Sequence, residues 1–212
     1  MEKILVFIYK FSYNLMWVPF KIVFFVFFRL KVESKENLRK LKGPLIIASS
    51  HACWIDPFLI GGAFPFNAKV YPIRFACWPK YFFDPKGIIF LWLFGTFPIK
   101  KGTELEKSLK VPLKVLKNRG VVGIFPEGIR RRDNREIRGK RGAAYLALKT
   151  DTRILPIKIE GNMNLLFKDF LKGHYRIKIK VGKAFFLSSK EIRSREDLNG
   201  PTDCIMKEIR EL

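Results

Sequence analysis

The chain has 212 residues with nothing like a linker or internal repeat to divide it, so one well-filled domain is expected. Lysine and arginine number 41 against 19 acidic residues, a formal net charge of +22, which argues for an anionic partner: nucleic acid, an acidic protein or a membrane carrying acidic lipids. The 21 phenylalanines, many of them in the first 30 positions and between Phe82 and Phe97, suit lipid, and with no recognisable nucleic-acid module beside them they exclude nucleic acid as the partner.

In chain order, residues 1–30 read as a membrane anchor. A spanning helix needs about 20 mostly apolar residues, whereas Lys10, Lys21 and Arg29 cut this segment into uncharged runs 11–20 and 22–28. Wound as a helix, Lys3, Lys10, Asn14 and Lys21 fall within about 40° of one another. Pro19 splits the segment into two short helices that lie in one leaflet, their lysines snorkelling to the phosphates. A tilted single-pass anchor is the other reading. No small-residue cleavage site follows, which counts against a removed signal peptide. The division expected is residues 1–35 as anchoring helices and 36–212 as an α/β domain, held monotopically on the cytoplasmic face.

Pro44 to Ser50 is a short apolar strand, and after it come His51-Ala-Cys-Trp-Ile-Asp56-Pro57. Residues five apart on an α-helix point about 140° away from each other, so His51 and Asp56 can meet only across a loop. Pro57 pushes Asp56 out of the α region and suits the first turn of a helix, which makes Asp56 a natural N-cap. An imidazole beside a carboxylate is a ready general base near neutral pH. Seen by themselves, the two residues read more readily as a helix cap and a strand-end histidine. Cys53 raises a thiol nucleophile as an alternative, but the spacing fits a covalent mechanism poorly. Cys53, Cys77 and Cys204 form no CxxC pair and have no histidine at metal spacing, so they read as reduced thiols in a cytosolic setting, with no metal site.

Lys69 to Phe75 reads as a second strand. Gly87 to Ile99 carries no charge over thirteen residues; it is either a buried helix leading into a strand or the wall of an acyl-chain channel. Thr103 and Glu106 form a capping box for a helix with Leu105, Leu109, Leu113 and Leu116 as its apolar stripe, Pro112 as a bend and Gly120 as its close. Val121 to Phe125 is a buried strand that presents Pro126-Glu127-Gly128 at its C-terminal end, the edge where open α/β sheets bind ligands. Seven basic residues lie between Arg130 and Arg141. Most read as a solvated face, and Arg130 stands apart because it is next to the Glu-Gly turn. Lys140-Arg141-Gly142 opens the next helix. Tyr175 to Val181 alternates like an antiparallel strand with one wet face, and Ile205, Ile209 and Leu212 mark a C-terminal helix.

Four short blocks in this order resemble the glycerolipid acyltransferases of the lysophosphatidic acid acyltransferase family, over roughly residues 40 to 185. The family's Asn-His-x-Ser-x-x-Asp is filled by Ser50, His51, Cys53 and Asp56. Gly-x-Ile-Pro-Val-x-Arg is filled by Gly95-Thr96-Phe97-Pro98-Ile99-Lys100-Lys101, with lysine in place of arginine. Phe-Pro-Glu-Gly-Thr-Arg is filled by Phe125-Pro126-Glu127-Gly128-Ile129-Arg130, and the last block by Leu155-Pro156-Ile157. The resemblance implies a mixed, mostly parallel sheet flanked by helices. It implies His51 and Asp56 as catalytic pair, with Lys100, Lys101, Glu127, Gly128 and Arg130 around the acceptor and no cofactor. It further implies an acyl thioester donor, acyl-CoA or acyl carrier protein, and 1-acylglycerol 3-phosphate as acceptor at an anionic membrane surface. Glycerol 3-phosphate or another lysolipid as acceptor, and a non-catalytic basic membrane-binding module, are the alternatives.

Overall fold

A computed structural model describes residues 19, 22, 29–65, 68–77, 79, 95–99, 104–133, 137–163, 176–188 and 196–212. Most of the expected anchoring segment 1–35, most of the uncharged stretch from Gly87, and Lys100, Lys101, Thr103, His174 and Tyr175 lie outside these residues.

Seven strands form one sheet: β1 (Lys31–Glu33), β2 (Leu45–Ser49), β3 (Ile73–Cys77), β4 (Phe97–Pro98), β5 (Val121–Ile124), β6 (Ile154–Glu160) and β7 (Lys178–Val181), in the order β1-β7-β6-β2-β5-β3-β4. Every neighbouring pair is parallel except β6 with β7. The expected mixed, mostly parallel sheet is therefore present. It begins upstream of the boundary expected at residue 36, because β1 pairs with β7 from Lys31 onward.

Helices α1 (Asp56–Ala63), α2 (Leu105–Ser108), α3 (Lys110–Lys117), α4 (Gly142–Thr150) and α5 (Asn199–Arg210) complete the described elements, with short 3-10 turns at Lys35–Leu38 and Glu196–Leu198. Side chains alternate across a strand, and the alternation divides the interior into two cores. Leu45, Ile47, Leu155, Ile157 and Ile159 pack with Leu59, Ile60 and Phe64 of α1 on one face. Ile46, Ala48, Val122, Ile124 and Ile154 pack with α3, α4 and α5 on the other. Covered on both sides, β2 and β5 are buried throughout, whereas β7 buries Ile179 and Val181 and turns Lys178 and Lys180 outward. Ile47 and Leu155 are completely buried, so truncating either to alanine costs about 2–5 kcal/mol.

Four local expectations change. β3 starts at Ile73, not at Lys69, which makes an isolated bridge to Lys42; Pro72 between them has no N–H for a ladder. The leucine-striped helix is broken into α2 and α3 at Leu109, since Pro112 has no N–H to give back to the preceding turn. The residue at its N-terminal cap is Glu104, whose side chain makes no capping bond. At the other end Gly120 donates to the Val115 carbonyl at 2.8 Å, but the left-handed residue is Arg119. Glycine is needed at 120 by close approach instead: a Cβ would stand 2.7 Å from Val115 Cγ1.

Candidate active site

Three adjacent parallel strands, β6, β2 and β5, end on the same sheet edge, and the residue groups of interest follow their C-terminal ends. β2 delivers His51. Its main chain is tied to β6 by Ser50, whose N–H donates to the Ile157 carbonyl at 3.1 Å and whose Oγ accepts from the Ile159 N–H at 2.9 Å. The imidazole stacks on Phe125, ring centroids 4.0 Å apart, and Phe125 in turn stacks on Phe75. The ring is thus clamped between its own strand end and the end of β5.

His51 Nδ1 lies 2.8 Å from Asp56 Oδ2. The same oxygen accepts the backbone N–H groups of Ala52 at 2.8 Å and Cys53 at 2.9 Å, and Oδ1 accepts Asn162 Nδ2 at 2.7 Å. Asp56 is fully buried, while the His51 side chain keeps 17% of its surface exposed. A buried carboxylate ringed by donors makes Nδ1 the protonated nitrogen, which leaves the Nε2 lone pair as the basic site. The two residues meet across the loop, as their spacing requires.

Asp56 is not the N-cap. Ile55 occupies the cap with αR dihedrals, so Asp56 is the first residue of α1 and its carboxylate points back into the loop. A capping carboxylate would have spent itself on the helix's own N–H groups; this one serves the imidazole and the turn that carries it. Cys53 is 5% exposed. Burial first, then the Asp56 charge, pushes its thiol up, which holds the sulfur in its unreactive form.

Glu127 follows β5 and is 4% exposed. The His51 N–H approaches its Oε1 at 3.4 Å, and Arg131 Nε stands 3.3 Å from the same oxygen, a charge contact rather than an aligned hydrogen bond. Among the described residues Oε2 is buried with no hydrogen-bond partner. Burial is the main reason its pKa rises to about 7, with the Asp56 charge acting in the same direction and Arg131 and the His51 N–H against it. Gly128 adopts φ +68°, and a Cβ there would meet Lys140 Cγ at 2.9 Å, so the turn that aims Glu127 inward requires glycine.

Arg130 is exposed on the rim of this turn, beside exposed Ile129 and Arg132. Its neighbour Arg131, which the sequence leaves among the solvated basic residues, reaches deepest: its N–H donates to the His51 carbonyl at 2.7 Å as well as its side chain contacting Glu127. Asn162 has no sequence signal at all. The structure therefore brings together His51, Asp56, Glu127 and Gly128 and leaves Arg130 at the edge.

The family profile described as Acyltransferase matches residues 29–160. The 1-acyl-sn-glycerol-3-phosphate acyltransferase of Bacillus subtilis (strain 168) is 31% identical over 96% of this chain and 96% of its own length. The chloroplastic 1-acyl-sn-glycerol-3-phosphate acyltransferase LPAT1 of Arabidopsis thaliana is 24% identical over 85% of this chain, which spans half of that relative. In three dimensions the crystal structure of the 1-acyl-sn-glycerophosphate (LPA) acyltransferase PlsC from Thermotoga maritima matches 93% of this chain and 78% of its own, with a TM-score of 0.68 at 20% identity, a likeness of fold.

Proposed function

Because this chain belongs to the family of 1-acyl-sn-glycerol-3-phosphate acyltransferases, we propose that it moves a fatty acyl group from an acyl thioester to the sn-2 hydroxyl of 1-acylglycerol 3-phosphate, giving phosphatidic acid. The observation that carries the chemistry is the 2.8 Å contact between His51 Nδ1 and a buried, four-fold hydrogen-bonded Asp56. With Nδ1 committed, Nε2 takes the hydroxyl proton as the oxygen attacks the thioester carbonyl. The C–S bond breaks as the tetrahedral adduct collapses, and the proton passes from His51 to the departing sulfur. Asp56 stabilises the imidazolium in between. No acyl-enzyme is needed.

Arg130, with Lys100 and Lys101, holds the acceptor phosphate, turning a bimolecular encounter into a positioned attack. Glu127 and Gly128 shape the acceptor pocket. The donor is acyl-CoA or acyl carrier protein, both anionic and suited to a chain of charge +22. The acceptor is a membrane lipid, so the site works at an anionic leaflet surface, and residues 1–30 anchor it monotopically on the cytoplasmic face. Support for such a surface comes from the rim itself: Trp54 is 58% exposed and Ile129 50% exposed, on the two loops that carry His51 and Glu127, with Arg130 and Arg132 beside them. No helix among the described residues is long and apolar enough to cross a membrane.

The test is acyl transfer by the purified full chain to lysophosphatidate, glycerol 3-phosphate and other lysolipids, each with both donors and with His51→Ala as the blank. Fastest conversion of lysophosphatidate, abolished in the blank, is the expected result. A faster rate on glycerol 3-phosphate or another lysolipid would replace the acceptor. No transfer to any of them would leave a basic membrane-binding module.

A further inference from the structure

Resting on that reading, we infer that Asn162 is a positioning residue of the acyl-transfer site, holding Asp56 in the orientation that serves His51. The buried Asp56 carboxylate is bonded through both of its oxygens. Oδ2 is occupied by the His51 ring and two backbone N–H groups. Oδ1 of a side chain with no exposed surface would otherwise be a buried charged oxygen without a donor, and Asn162 Nδ2 fills that place at 2.7 Å. A carboxylate bonded through both oxygens cannot rotate about its last torsion. Bonded through one, it can swing, and the imidazole that hangs on it swings too.

The placement of Asn162 depends on long-range structure. It stands 106 residues from Asp56, just beyond β6. Gly161 before it takes φ +80°, and a Cβ there would lie 2.3 Å from the Arg176 carbonyl oxygen, so the chain turns sharply as it leaves the strand. Ser50 bonds to β6 at Ile157 and Ile159. The strand end that carries Asn162 is thus fixed to the residue preceding His51. Asn162 is itself 2% exposed, behind Asp56 and out of the reach of substrate, so it acts on turnover and not on binding.

The test uses the full chain with Asn162→Ala and the same-shaped Asn162→Asp, which puts an acceptor where the donor was. Each should lower kcat about 10- to 100-fold, the span for losing a hydrogen bond to a buried charge, with KM for both substrates within about threefold of wild type. Adding Asn162→Ala to Asp56→Asn should cost less than about threefold more, because the group it acts through is already disabled. A full additive loss in that background, a change confined to KM, or wild-type kcat in both variants would overturn the assignment. A readout independent of turnover guards against failure of the acyl-transfer reading itself. The chain has two histidines, so with His174→Gln a 15N-histidine spectrum reports His51 directly. Its Nδ1 proton should resonate far downfield, exchange faster with solvent in Asn162→Ala and vanish in Asp56→Asn; an unchanged Nδ1 proton in Asn162→Ala would overturn the assignment even if no transfer is ever detected.

Discussion

Replacing Glu127 by glutamine keeps the shape of the side chain and removes its ionisation, which isolates the energetic consequence of burying a carboxyl beside His51. In the folded chain the carboxyl is 4% exposed and, chiefly through burial, titrates at about 7 against an ordinary value of 4.5. Between those two values the native state holds a proton that the unfolded chain has lost. Stability from this group therefore falls as pH rises from about 4.5 to about 7 and is level above, a difference of about 3 kcal/mol. Glutamine has no such dependence. Urea unfolding of both proteins from pH 4 to pH 8 should show nearly equal stability, apart from a constant offset, at the acid end, and a relative gain for Glu127→Gln of about 3 kcal/mol by pH 7 to 8. The comparison cancels every other titrating group, since both chains share them. Two stability curves that run parallel across the whole range would mean that Glu127 ionises alike in both states, and would refute the argument from burial.

His51→Ala should lower turnover by about two to four orders of magnitude, the usual span for removing a general base, and Asp56→Asn, which can still accept the Ala52 and Cys53 N–H groups but carries no charge, should lose most activity too. Activity within a few-fold of wild type in either would sink the dyad. Arg130→Ala should raise the apparent KM for a phosphate-bearing acceptor about 10- to 100-fold more than for a neutral lysolipid, since the interaction lost is charge-assisted; equal losses on both would move Arg130 out of the pocket. Deleting residues 1–28, which spares buried Leu30 and the start of β1, should release much of the protein from anionic vesicles. The remaining binding should be strongly salt-dependent, whereas that of the intact chain is only partly so. Undiminished binding would put the anchor elsewhere, and topology probes at Met1 and Leu212 on opposite sides would replace the monotopic reading with a spanning helix.

Local chemistry wrote much of this protein's plan into its residue order. The apolar run at 45–49, the five-residue step from His51 to Asp56 with Pro57 behind it, and the Phe125-Pro126-Glu127-Gly128 turn each follow from torsional limits and strand periodicity acting over a few residues. A reader of the chain can therefore place the dyad on a loop and the Glu-Gly turn at a strand end. What those residues do once placed depended on neighbours far away in sequence. Asp56 could have capped its own helix; the Ala52 and Cys53 N–H groups, the imidazole and Asn162 drew its carboxylate the other way. In the basic run from Arg130 to Arg141, proximity to the Glu-Gly turn favoured Arg130, yet its side chain is exposed, and it is Arg131 that bonds to the His51 carbonyl through its N–H. Asn162 is an ordinary polar residue in the sequence and becomes a partner of the dyad because β6 lies next to β2. That the Glu127 carboxyl is pushed toward neutrality was likewise decided by tertiary structure: the donors around Asp56 and the shortage of them around Glu127 exist only when three strand ends converge, and the cost of a buried charge is set by what surrounds it.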